Sequence, residues 1–197
     1  MLERLITLPF FIIALVVHES AHALVADRLG DPTPRSNGRL SLNPLRHLDP
    51  LGTVMILLTG FGWAKPVVID NYNLAHPRRD AGIISLAGPA SNLVFASLLG
   101  VIYHLISSIP TLASLVSLTA QINIMLAIFN LVPVYPLDGE KILAAILPRD
   151  LAYEYQAVMS RYGTIILIFM ILPLFGSSPV ISLITPAITF LSHLLLG

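Results

Sequence analysis

The sequence predicts an all-α polytopic membrane protein, with about five transmembrane helices and a re-entrant β-like hairpin near residues 51–68. Three observations carry this reading. Of 197 residues, 55% are hydrophobic and only 11% charged, against about 25% charged in a soluble domain, and the mean hydropathy is +0.82. The apolar residues fall into runs close to the length of about 17 to 25 that crosses a bilayer as a helix. Ten of the eleven Lys and Arg residues occupy segments that a single topology places on one side, as the positive-inside tendency expects of the cytoplasmic face.

The first run, residues 5–25, follows Glu3 and Arg4 and holds a polar motif, so it reads as a first span and not as a cleavable leader. Residues 30–49, with Pro32, Pro34, Asn37, Gly38 and Pro44, form the longest irregular piece. The next apolar run, 51–62, is too short to cross and carries Gly52, Gly60 and Gly62. Non-helical backbone at membrane depth survives only against protein or a wet cavity, so this run is expected to re-enter beside a site. Spans then follow at 81–107, 112–134, 162–175 (short) and 180–196. Arg28, Arg35, Arg39, Arg46, Lys65, Arg78, Arg79, Lys141, Arg149 and Arg161 gather on one side and only Arg4 on the other. This puts the amino terminus outside and the carboxyl terminus inside, in a cell membrane; counting 51–62 as a full span would divide the basic residues. Trp63 and Tyr72 suit interfacial anchors.

Net charge is zero and no basic cluster stands out, so no nucleic-acid partner is expected and partners belong to the bilayer. Cys is absent, which removes disulfides, thiolate metal sites and thiol nucleophiles. Any metal site must be built from His and carboxylate.

Near the end of the first run stands His18-Glu19-Ser20-Ala21-His22. On a helix a spacing of four rotates the side chain by about 400° and advances roughly 6 Å, so the two imidazoles stack on one face and can grip one ion. Glu19 is then placed to take a proton from metal-bound water, the zincin arrangement. A polar helix face is the ordinary alternative, but here it would set an ionised Glu among Leu, Ile, Val and Phe, at roughly 3 kcal/mol on insertion scales. Catalytic zinc sites use three protein ligands plus water. Asp31, Asp49, Asp70, Asp80, Asp150 and Glu154 lie in polar segments where a solvated charge suffices. Asp138 differs, because it closes an apolar span already interrupted by Pro133 and Pro136, at the same end of its span as His22 is of its own.

His18-Glu19-Ser20-Ala21-His22 followed by Asn130-Leu131-Val132-Pro133-Val134-Tyr135-Pro136-Leu137-Asp138-Gly139 resembles the site-2 protease family of intramembrane zinc metalloproteases, whose second motif is N-x-x-P-x-x-P-x-D-G. Gly88-Pro89-Ala90-Ser91-Asn92 and Gly60-Phe61-Gly62-Trp63-Ala64-Lys65-Pro66 support the match. The resemblance implies one Zn2+ held by His18, His22 and Asp138, with Glu19 as general base. It also implies substrate contacts at Asn130, Asn92, Gly60, Phe61 and Gly62, the last three in a re-entrant loop that holds substrate extended. The expected form is compact, one domain over 1–197 without PDZ or CBS parts, with a catalytic core at about 5–147 and accessory helices at about 162–196. Its substrate would be a transmembrane protein or a signal-peptide remnant.

A metal-ion transporter or metal-binding membrane protein could use the same His and Asp residues, although it gives Glu19 no special part and no paired halves are seen. A silent scaffold for transmembrane helices is a third reading. A membrane zincin with Glu154 as third ligand lacks comparable context. Glu140 is expected to be solvated, His47 and His76 to be structural or idle loop residues and not ligands, and His104 and His193 to bond across helices or snorkel.

Overall fold

The computed structural model describes residues 2–59, 62–173 and 176–197. Eight α-helices stand among them: α1 (Leu2–Arg28), α2 (Thr33–Ser36), α3 (Pro50–Thr59), α4 (Pro77–Leu105), α5 (Pro110–Asn130), α6 (Asp138–Ile146), α7 (Arg149–Ile171) and α8 (Pro179–Leu196). Four are long and apolar enough to cross a membrane: α1 from Arg4, α4, α5 and α8. Pro77, Pro110 and Pro179 each open a helix at its first position, where the missing N–H has no partner to lose.

In lipid the hydrophobic effect does not hold helices together, so packing contacts and interhelical hydrogen bonds must. The seams accordingly carry small residues: Ala14, Ala23, Ala26, Ala96, Ala120 and Ala127 are all completely buried. They let α1, α4 and α5 approach closely enough for Ala14, Leu15, Ile122 and Leu126 to form one cluster with Phe10 and Phe11. α4 and α1 run in opposite senses, with Ala14 facing Asn92 and His22 facing Ile84. The end of α8 meets the end of α4, where His104 Nε2 donates to Leu195 O at 3.1 Å.

Two sequence expectations are corrected here. The fifth crossing at 162–175 is not found. Nothing breaks the helix between the polar residues 149–161 and the apolar ones after them, so α7 takes both. Tyr155 OH donates to Pro133 O at 2.7 Å, Gly163 lies on Tyr135, and Leu167 packs with Val132, Val134 and Leu137. Successive turns of α7 therefore lie across the 131–137 turn, at one end of the bundle, and α8 starts there too through Val180 and Ile184. With α8 crossing once from that end, the carboxyl terminus lies beside the far end of α4, like the start of α1, and not at the opposite end from it.

The β-like hairpin is also different. Its first arm is helix α3, started by Pro50 and by Asp49, whose carboxylate accepts from Gly52 N at 2.8 Å. Its second arm returns in extended form, with Gly62 and Trp63 against Gly52 and one antiparallel bridge between Leu48 and Ala64. No strand forms among the described residues.

Candidate metal centre

The far half of α1 brings His18 and His22 to one face, with ring centroids 4.6 Å apart and planes nearly perpendicular, at 85°. Both are buried, at 4% and 7% exposure. Asp138 is delivered by a different device. α5 ends at Asn130, the chain turns through Leu131 to Leu137 with a cis Tyr135–Pro136 bond, and Asp138 is the first residue of α6. Gly139 makes that turn possible, because a Cβ there would collide with the carbonyls of Leu131 and Val132.

The three donors converge. Asp138 Oδ2 lies 3.0 Å from His18 Nε2 and 3.3 Å from His22 Nε2, and one ligand atom from each residue falls within 4.8 Å of the others. The opposite ring nitrogens settle the tautomers. His22 Nδ1 lies 2.7 Å from Ile84 O, which can only accept, so this nitrogen carries the hydrogen. His18 Nδ1 lies 2.7 Å from Asn92 Oδ1. The Asn92 Nδ2 hydrogens are spent on Ala14 O at 3.0 Å and Asn123 Oδ1 at 2.8 Å, so Asn92 Oδ1 accepts and His18 Nδ1 donates. With the hydrogen on Nδ1, each neutral imidazole turns its Nε2 lone pair toward a carboxylate oxygen. Three such acceptors repel one another unless a cation lies between them, and an imidazole–imidazole–carboxylate set suits zinc. The residues fit the ion, and their outer hydrogen bonds are of the kind that orients metal-ligating imidazoles.

Gly88 completes the pocket wall. A Cβ on it would fall 2.6 Å from Cε1 of both His18 and His22, so α4 must be bare there for the imidazoles to lie on it. Glu19, next to His18 and half-buried, accepts from Val67 N at 3.2 Å through Oε2. This brings the extended arm of the hairpin onto the carboxylate.

The other expected site residues fall in different places. Asn92 is fully buried behind His18, with both ends of its amide engaged. Asn130 is half-buried at the end of α5 and gives one Nδ2 hydrogen to Leu126 O at 2.9 Å. Gly62 packs on Gly52, while Gly60 and Phe61 lie outside the described residues. Sequence reasoning missed Asn123, which is completely buried and links Asn92 to Thr119 O. A lone Asn inside the apolar run of α5 was the available signal.

Three acids expected to be solvated are buried and structural, and His47 takes the structural one of its two expected parts. Asp31 is fully buried and accepts from Thr33 N, Asp70 N and Asn73 Nδ2 at 2.8–3.0 Å. Burial pushes its carboxyl up, but those hydrogen bonds outweigh burial and hold it below the ordinary range. Asp80 is buried and accepts from His76 N. Glu140 is buried rather than solvated; burial raises its pKa, against the pull of Lys141 and a hydrogen bond with Gln156. His47 is fully buried, with Nε2 donating to Ser41 O at 2.6 Å, next to Ser20 Oγ.

Comparison with known proteins finds relatives named for zinc. A family model described as "Peptidase family M50" matches residues 107–170, the part that holds Asn130 and Asp138. A Bacillus subtilis (strain 168) protein named "Putative zinc metalloprotease YwhC" is 38% identical over 183 residues, covering 86% of this chain and 83% of that one. "Putative zinc metalloprotease Rip2" of Mycobacterium tuberculosis H37Rv is 31% identical over 170 residues, 82% of this chain and 63% of its own length. "Putative zinc metalloprotease MJ0611" of Methanocaldococcus jannaschii is 30% identical over 93 residues, 47% of this chain and 49% of that one. No solved structure matches. With four apolar helices, convergent zinc-type donors and a relative matched over most of both lengths, the chain belongs to Peptidase family M50, the site-2 protease family of intramembrane zinc metalloproteases.

Proposed function

We propose that this integral membrane metalloprotease hydrolyses a peptide bond in or beside a transmembrane segment of a membrane protein or signal-peptide remnant, with His18, His22 and Asp138 holding its zinc and Glu19 as general base. The observation that carries the ligand assignment is the convergence of two Nε2 lone pairs and Asp138 Oδ2 within 4.8 Å, each imidazole being locked by its own Nδ1–H. Bound zinc supplies a Lewis acid for the scissile carbonyl and a lowered pKa for water. Glu19, as a carboxylate beside that point, accepts the proton of the attacking water and returns it to the leaving nitrogen.

A helical substrate offers no free carbonyl, since every backbone group is bonded within the helix. It must unwind, and its released groups then need partners. The extended arm after Gly62 suits this need: Val68 is 58% exposed and makes no backbone hydrogen bond among the described residues, so its N–H and C=O can pair with an unwound strand. Asn130 retains a second Nδ2 hydrogen for substrate backbone. Asn92 serves by orienting His18.

The bundle end that holds the site lies toward the cytoplasm of a cell membrane, and the amino terminus outside. Ten of the eleven basic residues support this, since all but Arg4 belong to segments at or beyond the site's end of the helices. The test is cleavage of a model transmembrane substrate in liposomes by wild type and Glu19→Gln, with zinc flux followed in parallel. Cleavage by wild type alone, without flux, supports the protease; flux that survives Glu19→Gln without cleavage by either would support a transporter.

A further inference from the structure

The loop between α2 and α3 contains a buried cation with no acidic partner among the described residues. Arg39 is 5% exposed and forms no ion pair among the described residues. Its guanidinium instead donates to three carbonyls: Nη1 to Arg46 O and to Lys65 O at 3.1 Å, and Nη2 to Pro66 O at 3.2 Å. A buried charge is tolerated only when its donors are satisfied, and the planar fork of Arg can reach separate oxygens that a Lys ammonium cannot. Two of those oxygens sit on the residues immediately before Val67, whose N–H lies on Glu19.

The neighbouring bonds show what this fork holds. Lys65 N donates to His47 O at 2.8 Å, and Asp70 N donates to the buried Asp31 at 2.8 Å. The extended arm is thus pinned before Val67 by Arg39 and the 46–48 backbone, and after it by Asp31. Between the pins lie the Val67 amide on Glu19 and the unpaired backbone of Val68. Pro66 has no N–H, so its carbonyl contact with Arg39 is its one backbone anchor among the described residues.

We propose that Arg39 is a positioning residue for substrate: by holding the carbonyls of Lys65 and Pro66 it fixes residues 67–68 beside Glu19, in the register an unwound substrate strand must meet. This rests on the protease reading with Glu19 as base. Arg39 touches neither the metal ligands nor the reacting atoms, so its loss acts on substrate capture ahead of chemistry.

The experiment compares wild type, Arg39→Gln and Arg39→Lys, each zinc-loaded in detergent, by steady-state cleavage of a model transmembrane substrate and by amide hydrogen exchange of the 62–69 peptide. Arg39→Gln raises KM about tenfold or more with kcat changed less than about threefold, the size of a lost charge-assisted hydrogen bond. Exchange in 62–69 speeds up while α4 and α5 stay protected. Arg39→Lys keeps the charge but not the fork and falls between. Wild-type KM with wild-type exchange, or a lower kcat at unchanged KM, overturns the proposal. If Arg39→Gln does not fold, the same readouts on Arg39→Lys decide, and wild-type values there overturn it. If Glu19→Gln cleaves as fast as wild type, the assignment of Glu19 as base fails instead, and the exchange comparison still decides whether Arg39 holds the segment.

Discussion

His18 Nδ1 donates to Asn92 Oδ1 across 2.7 Å in the buried seam between α1 and α4, and this bond determines which ring nitrogen of His18 is free to face Asp138. Asn92 is in turn fixed by Ala14 O and Asn123, so three helices share the orientation of one proposed ligand. Asn92→Ala is expected to weaken zinc binding about 10- to 100-fold, the usual effect of losing an outer-shell partner. Competition against a chelating dye measures this, and excess zinc should restore part of the cleavage.

Gly88 bears on the same two imidazoles from α4. A methyl group there must displace both rings, since each Cε1 lies only 2.6 Å from where it would stand. Gly88→Ala should lower zinc occupancy and depress Tm by several degrees, as overpacking at a cost of about 1–3 kcal/mol does. Zinc content with differential scanning fluorimetry would check it; unchanged values for both would mean the imidazoles do not rest on α4.

The path of α7 makes a topological prediction. If α7 lies across the 131–137 turn and α8 crosses once, both termini emerge on the same side. The chain has no cysteine, so a single Cys inserted directly after Met1, or one placed at Gly197, reports without interference. An impermeant thiol reagent added outside should label both; labelling of only one would restore a fifth crossing.

Asp31 gives a pH dependence. Its carboxyl is held below the ordinary range in the folded chain, so the stability it contributes is complete above the unfolded carboxyl value of about 3.9. That contribution is lost as pH falls through the depressed folded value. Wild type should lose protection of the 70–74 amides on acidification below about pH 4, whereas Asp31→Asn should be less protected at neutral pH and change less with acid. Hydrogen exchange across that range distinguishes the two.

Four of the spans and the three donors that converge in the fold could be picked out because each rests on a local rule. α1, α4, α5 and α8 each contain an apolar stretch of membrane-crossing length, and His18 with His22 needs only the helical period. Asp138 could be found because Pro133 and Pro136 mark the end of α5 before it. What stayed hidden depends on tertiary partners. The burial of Asp31 and Glu140 follows from segments that meet only in the fold, and a polar loop gives no sign of it. Residues 162–175 read as a crossing because hydropathy counts them without knowing that Pro133 and Tyr135 lie against α7. A hairpin was expected from the glycines and its β-like form from the resemblance, while Asp49 and Pro50 had already supplied a helix start.

The most direct test of the site is zinc per chain measured beside substrate cleavage for wild type, Glu19→Gln and Asp138→Ala. The account predicts about one zinc in wild type and in Glu19→Gln, cleavage lost in Glu19→Gln by about 10²- to 10⁴-fold, and zinc weakly held or absent in Asp138→Ala. Equal zinc in all three, or full cleavage by Glu19→Gln, would contradict it.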